Sequence, residues 1–420
     1  MKSIIIVTQW FPPEHAPIGH MYLELAQSLV EQGWAVTVIT GFPNHPRGVV
    51  FDGYKKRLFQ EEQLEGVRVW RVFLHTSARR SIFNRVLTFL SFTLTSSACL
   101  LFRGRPDIIF APLQPLTHGA VLPLLARLKG ARLVFNIQDL HPDAHINLGL
   151  LKNRLLIKLL RSLEAYSYRH ADGLSVICDD FKSHCVTKGA NAESTTVLRN
   201  WIDLDEIRPG PRVNPFRTEL GLTEDERVVL FAGTIGLASG AEIMLDVAEQ
   251  LATDRRVRIV FVGEGISLAA VRAGAQNRAL ENIVFSTFQP REKLGEVQAI
   301  ADISIVTIRP DAEQMSVPSK VLGYMAAARP VLAAAASSSE TARFVRQSGA
   351  GIVVAPGDPT AIASTILDLL DRPADRQAMG NRGRQYLEEN LSREHVCRGY
   401  NDFFLKLLEA GDVRSTGSNQ

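Results

Sequence analysis

The chain has 420 residues, of which 46% are hydrophobic and 22% charged, so it has the composition of a globular protein and the length of two ordinary domains. Its formal net charge of +3 is too small to indicate a nucleic acid as partner. Four cysteines without paired spacing indicate neither a zinc site nor a disulfide framework, which favours a reducing cytoplasm.

The amino-terminal region predicts a first β-strand. The apolar run at residues 4–7 is too short for a signal peptide. We find no span of about 20 apolar residues that would predict a transmembrane helix. We therefore expect a cytoplasmic protein.

Short runs rich in β-branched residues alternate with helical segments along the chain. The first series of predicted strands covers residues 4–8, 35–40, 67–72, 107–111, 132–137 and 173–177. A second series covers residues 228–232, 258–262, 282–286, 303–308, 331–335 and 351–355. This alternation is typical of parallel sheets, so we predict an α/β fold of two doubly wound, Rossmann-like domains.

The break between the two series indicates a linker. Residues 197–203 are followed by a stretch rich in proline and arginine, with Pro209, Pro211 and Pro215. We therefore predict an amino-terminal domain over residues 1–200, a carboxy-terminal domain over 201–390, and a helix and tail over 391–420. Doubly wound domains bind ligands at the carboxyl ends of their strands, so we expect the site in a cleft between the halves.

Three glycine-containing turns follow predicted strands, where backbone N–H groups can approach a phosphate closely. The candidate residues in these turns are Gly19 and His20, before a helix predicted over 21–32, and Gly233, Thr234, Gly236, Gly263 and Glu264. Their spacing matches neither the Rossmann fingerprint nor the P-loop, and one such turn is more often a plain turn. Three in one two-domain chain favour a ligand that carries phosphate.

The stretch from residue 316 to 332 predicts a turn, a short helix and a buried strand. Pro318 and Ser319 are predicted to open the helix, and Lys320 adds a mobile cation beside its N–H groups. The same pattern also suits an ordinary helix–strand joint of an α/β protein. Together with the glycine turns it favours a diphosphate site.

Seven motifs carry a resemblance to a known family: TQWFPPE at 8–14, TGFPNHP at 40–46, QDLHPD at 138–143, LRNWID at 198–203, FAGTIG at 231–236, FVGEG at 261–265 and VPSK at 317–320. Together they resemble the retaining glycosyltransferases of family 4, which have the GT-B fold. Within that family they resemble the exopolysaccharide and O-antigen branch, with its colanic acid fucosyltransferase-like enzymes. The resemblance covers nearly the whole chain. It implies sugar transfer from a nucleotide-diphosphate donor, held mainly by the second half, to a growing glycan.

Departures from the wider family concern the donor site. Many members carry two glutamates at the positions of Met315 and Gly323, and an arginine and a lysine at the positions of Thr234 and Ser239. Because this chain lacks all four, the backbone amides of the loop at 233–236 and Lys320 are left to hold the donor diphosphate.

The resemblance also concerns the end of the fifth strand, where members often carry a histidine before an aspartate. Gln138 replaces that histidine, Asp139 matches the aspartate, and His141 follows two residues later. The candidate catalytic residues are therefore Asp139, His141 and Glu264, with Asp139 the first candidate for orienting the acceptor. We see no pair of carboxylates at double-displacement spacing, so we predict no covalent intermediate.

We predict no metal site and no cofactor. Asp203 and Asp205 form a D-x-D pattern of the kind that holds a divalent ion in other transferases, but they follow the linker, where aspartate serves as a helix cap. Asp179 and Asp180 are predicted to begin a helix. Five histidines are interpreted as separate surface or cleft residues, not as a helical metal pair: His45, His75, His118, His141 and His145.

Two segments of the first half combine basic and apolar residues. Residues 66–106 contain no acidic residue, and residues 150–170 contain one glutamate. The arginines of the first segment are Arg68, Arg71, Arg79, Arg80, Arg85, Arg103 and Arg105. The pattern predicts either core helices with solvated basic edges, or a basic surface on an anionic membrane, with Arg79 and Arg80 at a lipid diphosphate.

The resemblance implies a retaining hexosyltransferase of bacterial exopolysaccharide or O-antigen synthesis. Its acceptor would be a glycan linked to a polyprenyl diphosphate, and the enzyme would attach peripherally to the inner face of the plasma membrane. Two other functions stay open: a sugar-nucleotide epimerase of similar fold, whose motifs do not occur here, and a non-catalytic partner of a polysaccharide synthase, which the missing glutamate, arginine and lysine residues make conceivable.

Overall fold

The structure, a computed structural model, describes residues 1–14, 16–55, 57–79, 81–147, 149, 151–310 and 320–416, and of 411–416 only the backbone. Its contacts divide the chain into two units: Met1–Arg199 with Glu394–Gln420, and Asn200–Arg393. Of the residues proposed from the sequence, Arg80, Met315, Pro318 and Ser319 lie outside the described residues.

The first unit contains an eight-stranded sheet in the order β3-β4-β2-β1-β5-β6-β7-β8. Its strands are β1 (Ser3–Val7), β2 (Ala35–Gly41), β3 (Phe59–Leu64), β4 (Val67–Val72), β5 (Ile108–Pro112), β6 (Arg132–Ile137), β7 (Gly173–Val176) and β8 (Thr195–Val197). Neighbouring strands are parallel except for the antiparallel pair β3 and β4. The central strands are apolar runs buried on both faces, as a parallel sheet covered by helices requires.

Two strands of this sheet were not predicted from the sequence. β3 is an edge strand with the sequence FQEEQL, and none of its residues is fully buried. β8 has only three residues. Neither contains the apolar run by which the other strands were recognised.

Helices cover both faces of the first sheet: α1 (Pro17–Glu31), α2 (Ile82–Arg103), α3 (His118–Lys129), α4 (Asp143–Asn147), α5 (Arg154–His170) and α6 (Asp179–Thr187). Local sequence explains where several of them begin. The Ser81 hydroxyl accepts a hydrogen bond from the backbone N–H of Asn84 at the start of α2, and Asn153 caps α5 in the same way. As predicted, Asp179 and Asp180 lie in the first turn of a helix, α6.

The second unit contains a six-stranded sheet in the order β11-β10-β9-β12-β13-β14, with every neighbouring pair parallel. Its strands are β9 (Arg227–Ala232), β10 (Val257–Val262), β11 (Ile283–Ser286), β12 (Ile303–Thr307), β13 (Val331–Ala334) and β14 (Gly351–Val354). The strand order reverses between β9 and β12, which is where a doubly wound sheet binds its ligand. Both predicted sheets, and the two-domain α/β fold, are confirmed.

The helices of the second unit are α7 (Pro215–Glu219), α8 (Ile243–Leu251), α9 (Leu268–Asn277), α10 (Leu294–Ala299), α11 (Lys320–Ala326), α12 (Glu340–Ser348), α13 (Pro359–Asp371) and α14 (Pro373–Asn390). A buried cluster that includes Phe231, Phe261, Met244 and Ile366 joins the sheet to α8 and α13. This apolar core holds the carboxyl ends of the strands in fixed register.

The last helix, α15 (Arg393–Thr416), follows the second unit in sequence but belongs almost entirely to the first. Trp34 Nε1 donates a hydrogen bond to Asn401 Oδ1 at 2.8 Å, and the rings of Phe110 and Phe404 lie 5.4 Å apart. From the sequence, residues 391–420 were predicted as a helix and tail separate from both domains. The local pattern does not indicate which domain core a helix packs on.

One helix among the described residues, α2, is long and apolar enough to cross a membrane by length and composition alone. Within its most apolar stretch, 33% is buried inside the protein. From the sequence we expected no span of about 20 apolar residues. That expectation was wrong as to length and composition.

Candidate active site

Polar residues gather at the carboxyl ends of the central strands of the first unit. Beneath them, the buried amide of Asn136 in β6 makes all four hydrogen bonds that it can make. Its Oδ1 accepts from Tyr22 Oη at 2.9 Å and from Gln138 Nε2 at 2.8 Å. Its Nδ2 donates to Ser175 Oγ and Tyr400 Oη. This network anchors the start of the loop that follows β6.

The loop after β6 places Asp139 and His141 side by side, with Asp139 Oδ2 3.8 Å from His141 Nε2. Gln114 Nε2 lies 2.5 Å from the same ring nitrogen, and His141 Nδ1 lies 3.1 Å from His145 Nδ1. With the Gln114 amide as donor to Nε2, the His141 proton lies on Nδ1 and is donated to His145. His141 and His145 are four residues apart and their rings lie 4.8 Å apart, so the interpretation of separate histidines was wrong for this pair.

Burial shifts the pKa values of both Asp139 and His141. Burial, and to a lesser degree His145, lowers the pKa of His141 to about 4, so its ring is neutral at pH 7. Burial raises the pKa of Asp139 to about 6. Because half of the Asp139 side chain remains exposed, we expect solvent to moderate this shift. At pH 7 the loop therefore presents an ionised carboxylate beside a neutral imidazole.

A buried carboxylate that was not singled out from the sequence joins the loops after β1 and β2. Glu14 Oε1 accepts hydrogen bonds from the backbone N–H groups of Asn44 at 2.8 Å and His45 at 2.9 Å, and Oε2 accepts from Phe11 N at 3.3 Å. Burial raises the pKa of Glu14, and these hydrogen bonds oppose the shift. Glu14 is the last residue of the motif at 8–14, and its partners Asn44 and His45 lie in the motif at 40–46. These two motifs could have indicated the contact from the sequence.

Gly19 and His20 form part of the first turn of α1 and do not precede the helix, because α1 begins at Pro17. A Cβ at Gly19 would lie 3.1 Å from Trp10 O and from Phe11 Cα. Glycine at this position therefore allows α1 to pack closely against the backbone that follows β1. The prediction of a turn ahead of the helix was wrong.

The arginines of the predicted basic surface do not all lie on the surface. Arg79 and Arg85 are exposed. Arg71 is fully buried, with its Nε 2.6 Å from Glu62 Oε1 and its NH2 donating to Pro12 O at 2.6 Å. The prediction was wrong for Arg71, which joins β4 to the loop after β1. Arg80 lies outside the described residues.

In the second unit, the glycine loops after β9 and β10 pack on each other. A Cβ at Gly263 would lie 2.0 Å from Gly233 O, and a Cβ at Gly265 would lie 2.2 Å from Ile235 O. Gly233 and Gly263 have φ values of +116° and +147°, which disfavour any other residue. Ile235 N donates to Glu264 O at 2.8 Å. These glycines therefore permit backbone-to-backbone packing of the segments 233–236 and 263–265.

Lys320 begins α11 and lies beside this pair of loops. Its Nζ lies 3.3 Å from Thr234 O and 4.0 Å from the centroid of the Phe231 ring. Burial lowers the pKa of Lys320 to about 8. The structure thus brings together Lys320, Gly233 and Thr234, with Gly236 in the same loop. The other two residues of this group in the sequence, Pro318 and Ser319, lie outside the described residues.

Two residues near these loops were missed in the sequence. The buried Tyr324 of α11 accepts a hydrogen bond from Ala232 N at 2.9 Å, and its hydroxyl lies 3.2 Å from Ile305 O, so it ties α11 to β9 and β12. Arg309 follows β12, and its Cγ lies 2.7 Å from the position of a Cβ on Gly240. The signal for Arg309 was its place two residues beyond a strand at the reversal of strand order.

The third candidate catalytic residue, Glu264, lies in the loop after β10, in the second unit. Its side chain is exposed. Asp139 and His141 belong to the first. The structure brings Asp139 and His141 into contact with each other, and it places the backbone of Glu264 against the loop of Gly233.

The D-x-D pattern stabilises a turn. Asp203 Oδ1 accepts hydrogen bonds from the backbone N–H groups of Asp205 at 2.8 Å and Glu206 at 3.2 Å. Asp205 pairs with Arg208. Asp203 therefore acts as a cap, as predicted, but of a turn and not of a helix.

One group of residues with metal-ligand chemistry does occur among the described residues: Asp143, Glu164 and His184, whose ligand atoms lie within 4.8 Å of one another. Lys188 Nζ lies 2.7 Å from Asp143 Oδ2 and 2.6 Å from Glu164 Oε2. Because Lys188 bridges both carboxylates and Arg161 pairs with Asp143 at 2.8 Å, we interpret the group as an ion-pair network that fastens α4 to α5 and α6.

A cavity of about 750 Å³ opens at the opposite edge of the first sheet, at the amino ends of β5, β6 and β7. Asp107, Arg132 and Asp172 are among its lining residues, and Arg132 and Asp172 are paired at 2.8 Å. Doubly wound sheets bind ligands at the carboxyl edge, so we do not assign this cavity to the candidate site.

Two Rossmann-like units with polar loops at the carboxyl ends of their strands define a protein of the GT-B class. Residues 18–201 match the glycosyl transferase 4-like domain, and residues 213–386 match the glycosyl transferases group 1. The chain therefore belongs to the GT-B glycosyltransferases of the exopolysaccharide and O-antigen branch. The two matches favour a glycosyltransferase over the sugar-nucleotide epimerase.

The relatives agree with this assignment. A protein of Escherichia coli K12 described as a colanic acid biosynthesis glycosyl transferase, WcaI, is 27% identical over 93% of this chain and 96% of its own. The O-antigen chain mannosyltransferase C of Escherichia coli is 21% identical over 98% and 100%. Among solved structures, Anabaena HepE in complex with UDP-glucose has a TM-score of 0.69 at 16% identity, over 98% of this chain and 100% of that one.

Proposed function

We propose that the protein transfers a hexose from a nucleotide-diphosphate donor to a lipid-linked glycan, with retention of configuration at the anomeric carbon. The observation that carries the proposal is the position of Lys320 beside the glycine loops of the second unit, with Nζ 3.3 Å from Thr234 O. A cation next to a tightly packed backbone loop, at the reversal of strand order, suits a diphosphate.

The donor part of the proposal has two further supports. Arg309 adds a second cation next to Gly240 in the same loop region, where Thr234 and Ser239 replace the charged residues of many family members. A solved protein of the same fold, HepE, was crystallised with UDP-glucose. We therefore assign the diphosphate to Lys320, Arg309 and the loop at 233–240, and leave the base and the sugar to experiment.

The transfer step requires an acceptor hydroxyl on the face from which the diphosphate departs. Its oxygen bonds to the anomeric carbon as the bond to the diphosphate breaks, and its proton passes to the departing diphosphate. We assign Asp139 to accept a hydrogen bond from that hydroxyl and so orient it. His141, neutral at pH 7, holds the position of this loop through Gln114 and His145. Lys320 stabilises the charge that develops on the leaving diphosphate. No divalent metal is part of this scheme.

The acceptor part of the proposal is a glycan on a polyprenyl diphosphate at the inner face of the plasma membrane. It is supported by the descriptions of the relatives, which concern colanic acid and O-antigen chains. It is also supported by the exposed Arg79 and Arg85 of the first unit, since arginine binds phosphate groups and anionic surfaces.

The proposal is tested in two stages. A thermal-shift screen of nucleotide sugars should find at least one that stabilises the protein, and that donor should support transfer to a lipid-linked acceptor. Nuclear magnetic resonance of the product should show the anomeric configuration of the donor. An inverted product would contradict retention. Donor binding without transfer to any lipid-linked glycan would favour the non-catalytic partner of a polysaccharide synthase.

A further inference from the structure

The side of helix α2 that faces the protein carries several hydroxyl groups beside the buried Phe92 and Leu100. Thr88 Oγ1 donates to His75 O at 2.8 Å, and Ser91 Oγ accepts from His75 N at 2.7 Å. Thr95 Oγ1 donates to Phe73 O at 2.6 Å, and Ser96 Oγ lies 3.1 Å from His118 Nε2. These four hydroxyl groups are therefore hydrogen-bonded to the loop after β4 and to α3.

The opposite side of α2 is apolar and exposed. Its exposed large side chains follow helical spacing, with Phe83 70% and Leu94 69% exposed: Ile82, Phe83, Val86, Leu90, Leu94, Leu101 and Phe102. A helix on the surface of a protein in water normally presents polar side chains to the solvent and turns its apolar side chains toward the core. Because the inner hydroxyl groups are hydrogen-bonded, a rotation of α2 that buried the stripe would leave several polar groups without partners.

Two neighbouring helices extend this apolar side. α3 packs on α2, and α5 packs on α3. The exposed side chains that they add are Leu124 and Leu128 of α3 and Leu155, Leu156 and Leu159 of α5. More than half of the exposed large hydrophobic side chains among the described residues lie on these three helices, which we call the α2–α3–α5 face.

The charges of the α2–α3–α5 face have one sign. All residues of the three helices are described, and the single acidic residue among them, Glu164, is fully buried. The exposed charged residues on them are basic: Arg85, Arg103, Arg127, Arg154, Lys158, Arg161 and Arg169. A second copy of this face would oppose cations to cations, whereas an anionic lipid surface would complement them.

We propose that the α2–α3–α5 face docks on an anionic lipid bilayer, with its leucine and phenylalanine side chains at the boundary between headgroups and acyl chains. The face lies in the plane of the membrane and does not span it, since one side of α2 is hydrogen-bonded to the protein. The docking proposal deepens the proposed function. It rests on that function, because a lipid-linked acceptor is the reason for the protein to bind a membrane. It goes beyond charge attraction because apolar side chains enter the lipid.

Vesicles of phosphatidylcholine with phosphatidylglycerol test the proposal. The double variant Phe83→Ser with Leu94→Ser should bind them at least about tenfold more weakly than the unchanged protein, because two large apolar groups no longer enter the lipid. The matched control is Leu58→Ser with Phe288→Ser, which removes side chains 79% and 59% exposed outside the face and should bind as the unchanged protein does. Equal binding of both double variants and the unchanged protein would overturn the proposal.

A second measurement reports where the face lies. A fluorescent label on Leu94→Cys should shift to the blue with vesicles and be quenched by brominated lipid, whereas a label on Phe288→Cys should do neither. The four native cysteines are buried. A protein that binds no vesicles but forms a dimer, lost in the Phe83→Ser Leu94→Ser variant, would show that a second copy covers the face and would overturn the proposal.

The two proposals fail in distinguishable ways. Donor stabilisation in the thermal-shift screen should be the same for the unchanged protein and for the Phe83→Ser Leu94→Ser variant, since the donor site lies in the second unit. Vesicle binding without any donor response would remove the proposed function and keep the docking face. A donor response, with vesicle binding that is equal in the unchanged protein and in the Phe83→Ser Leu94→Ser variant, would remove the docking face and keep the proposed function.

Discussion

The carboxyl edges of the two sheets are constructed differently. In the first unit, side chains hold the loops: Glu14 joins the loops after β1 and β2, and Asn136 anchors the loop after β6. In the second unit, backbone packs on backbone, with Gly263 against Gly233. The first edge can be altered one hydrogen bond at a time, whereas the second has no space for an added carbon at Gly263 or Gly265.

This difference separates the responses that each edge should show. Side chains of the first edge titrate, so its chemistry should depend on pH through the Asp139 carboxyl. The backbone of the second edge does not titrate, and its charge is carried by Lys320 and Arg309. Mutation of the first edge should therefore change rates, and mutation of the second should change either folding or donor affinity.

The largest effect is expected for Gly263→Ala. Its Cβ would lie 2.0 Å from Gly233 O, at a φ of +147°, so the loops would have to separate. We expect a loss of about 3 kcal/mol in the free energy of unfolding of the second unit, measured by denaturant titration. Gly236→Ala is the matched control, because its nearest contact would be 3.7 Å and its φ is −96°. Equal stability of the two variants would contradict the backbone packing.

The next effect is expected for Asp139→Asn at the first edge. The amide keeps the shape but is a weaker hydrogen-bond acceptor for the acceptor hydroxyl, so we expect the transfer rate to fall about 100-fold with donor affinity unchanged. The rate of the unchanged protein should rise as pH increases through about 6, because Asp139 then loses its proton. The variant should lack that rise. Asp179→Asn, at an exposed carboxylate, should behave as the unchanged protein does.

The sequence predicted most of the fold because its strands are continuous apolar runs separated by helical segments. Twelve predicted strands occur in the structure within a residue or so of their predicted bounds. The polar edge strand β3, the three-residue β8 and the attachment of α15 to the first unit depend on partners distant in sequence. No local pattern encodes those partners.

Position and motifs singled out part of the candidate site from the sequence. Asp139 was proposed from its place directly after a strand, and Lys320 from its motif. Glu14, Tyr324 and Arg309 act through contacts with other segments of the chain. Arg71 was predicted on the surface but is buried, because it pairs with Glu62. The exposed apolar side of α2 could not be predicted either, because the sequence indicates an amphipathic helix but not which of its sides faces the core.

Lys320→Ala should have a smaller effect, on the donor. Loss of the ammonium beside the loop at 233–236 should weaken donor binding about tenfold, equivalent to about 1.4 kcal/mol, in a titration by calorimetry. Because the pKa of Lys320 is about 8, donor affinity of the unchanged protein should fall as pH rises through 8, and that of the variant should not. Lys293→Ala, at a lysine paired with Glu219, serves as control. Unchanged donor affinity in Lys320→Ala would exclude this residue from the donor site.

The smallest expected effect is that of divalent metal removal, for which we expect no change in turnover with EDTA. Metal-dependent transferases need carboxylates with unoccupied oxygens near the diphosphate. Here Asp203 accepts backbone hydrogen bonds, and Asp143 and Glu164 are paired with Lys188 and Arg161. The second edge thus carries its positive charge on Lys320 and Arg309 and has no need of an ion to supply it. Loss of turnover in EDTA, restored by magnesium or manganese, would show instead that a metal and not these side chains neutralises the leaving diphosphate.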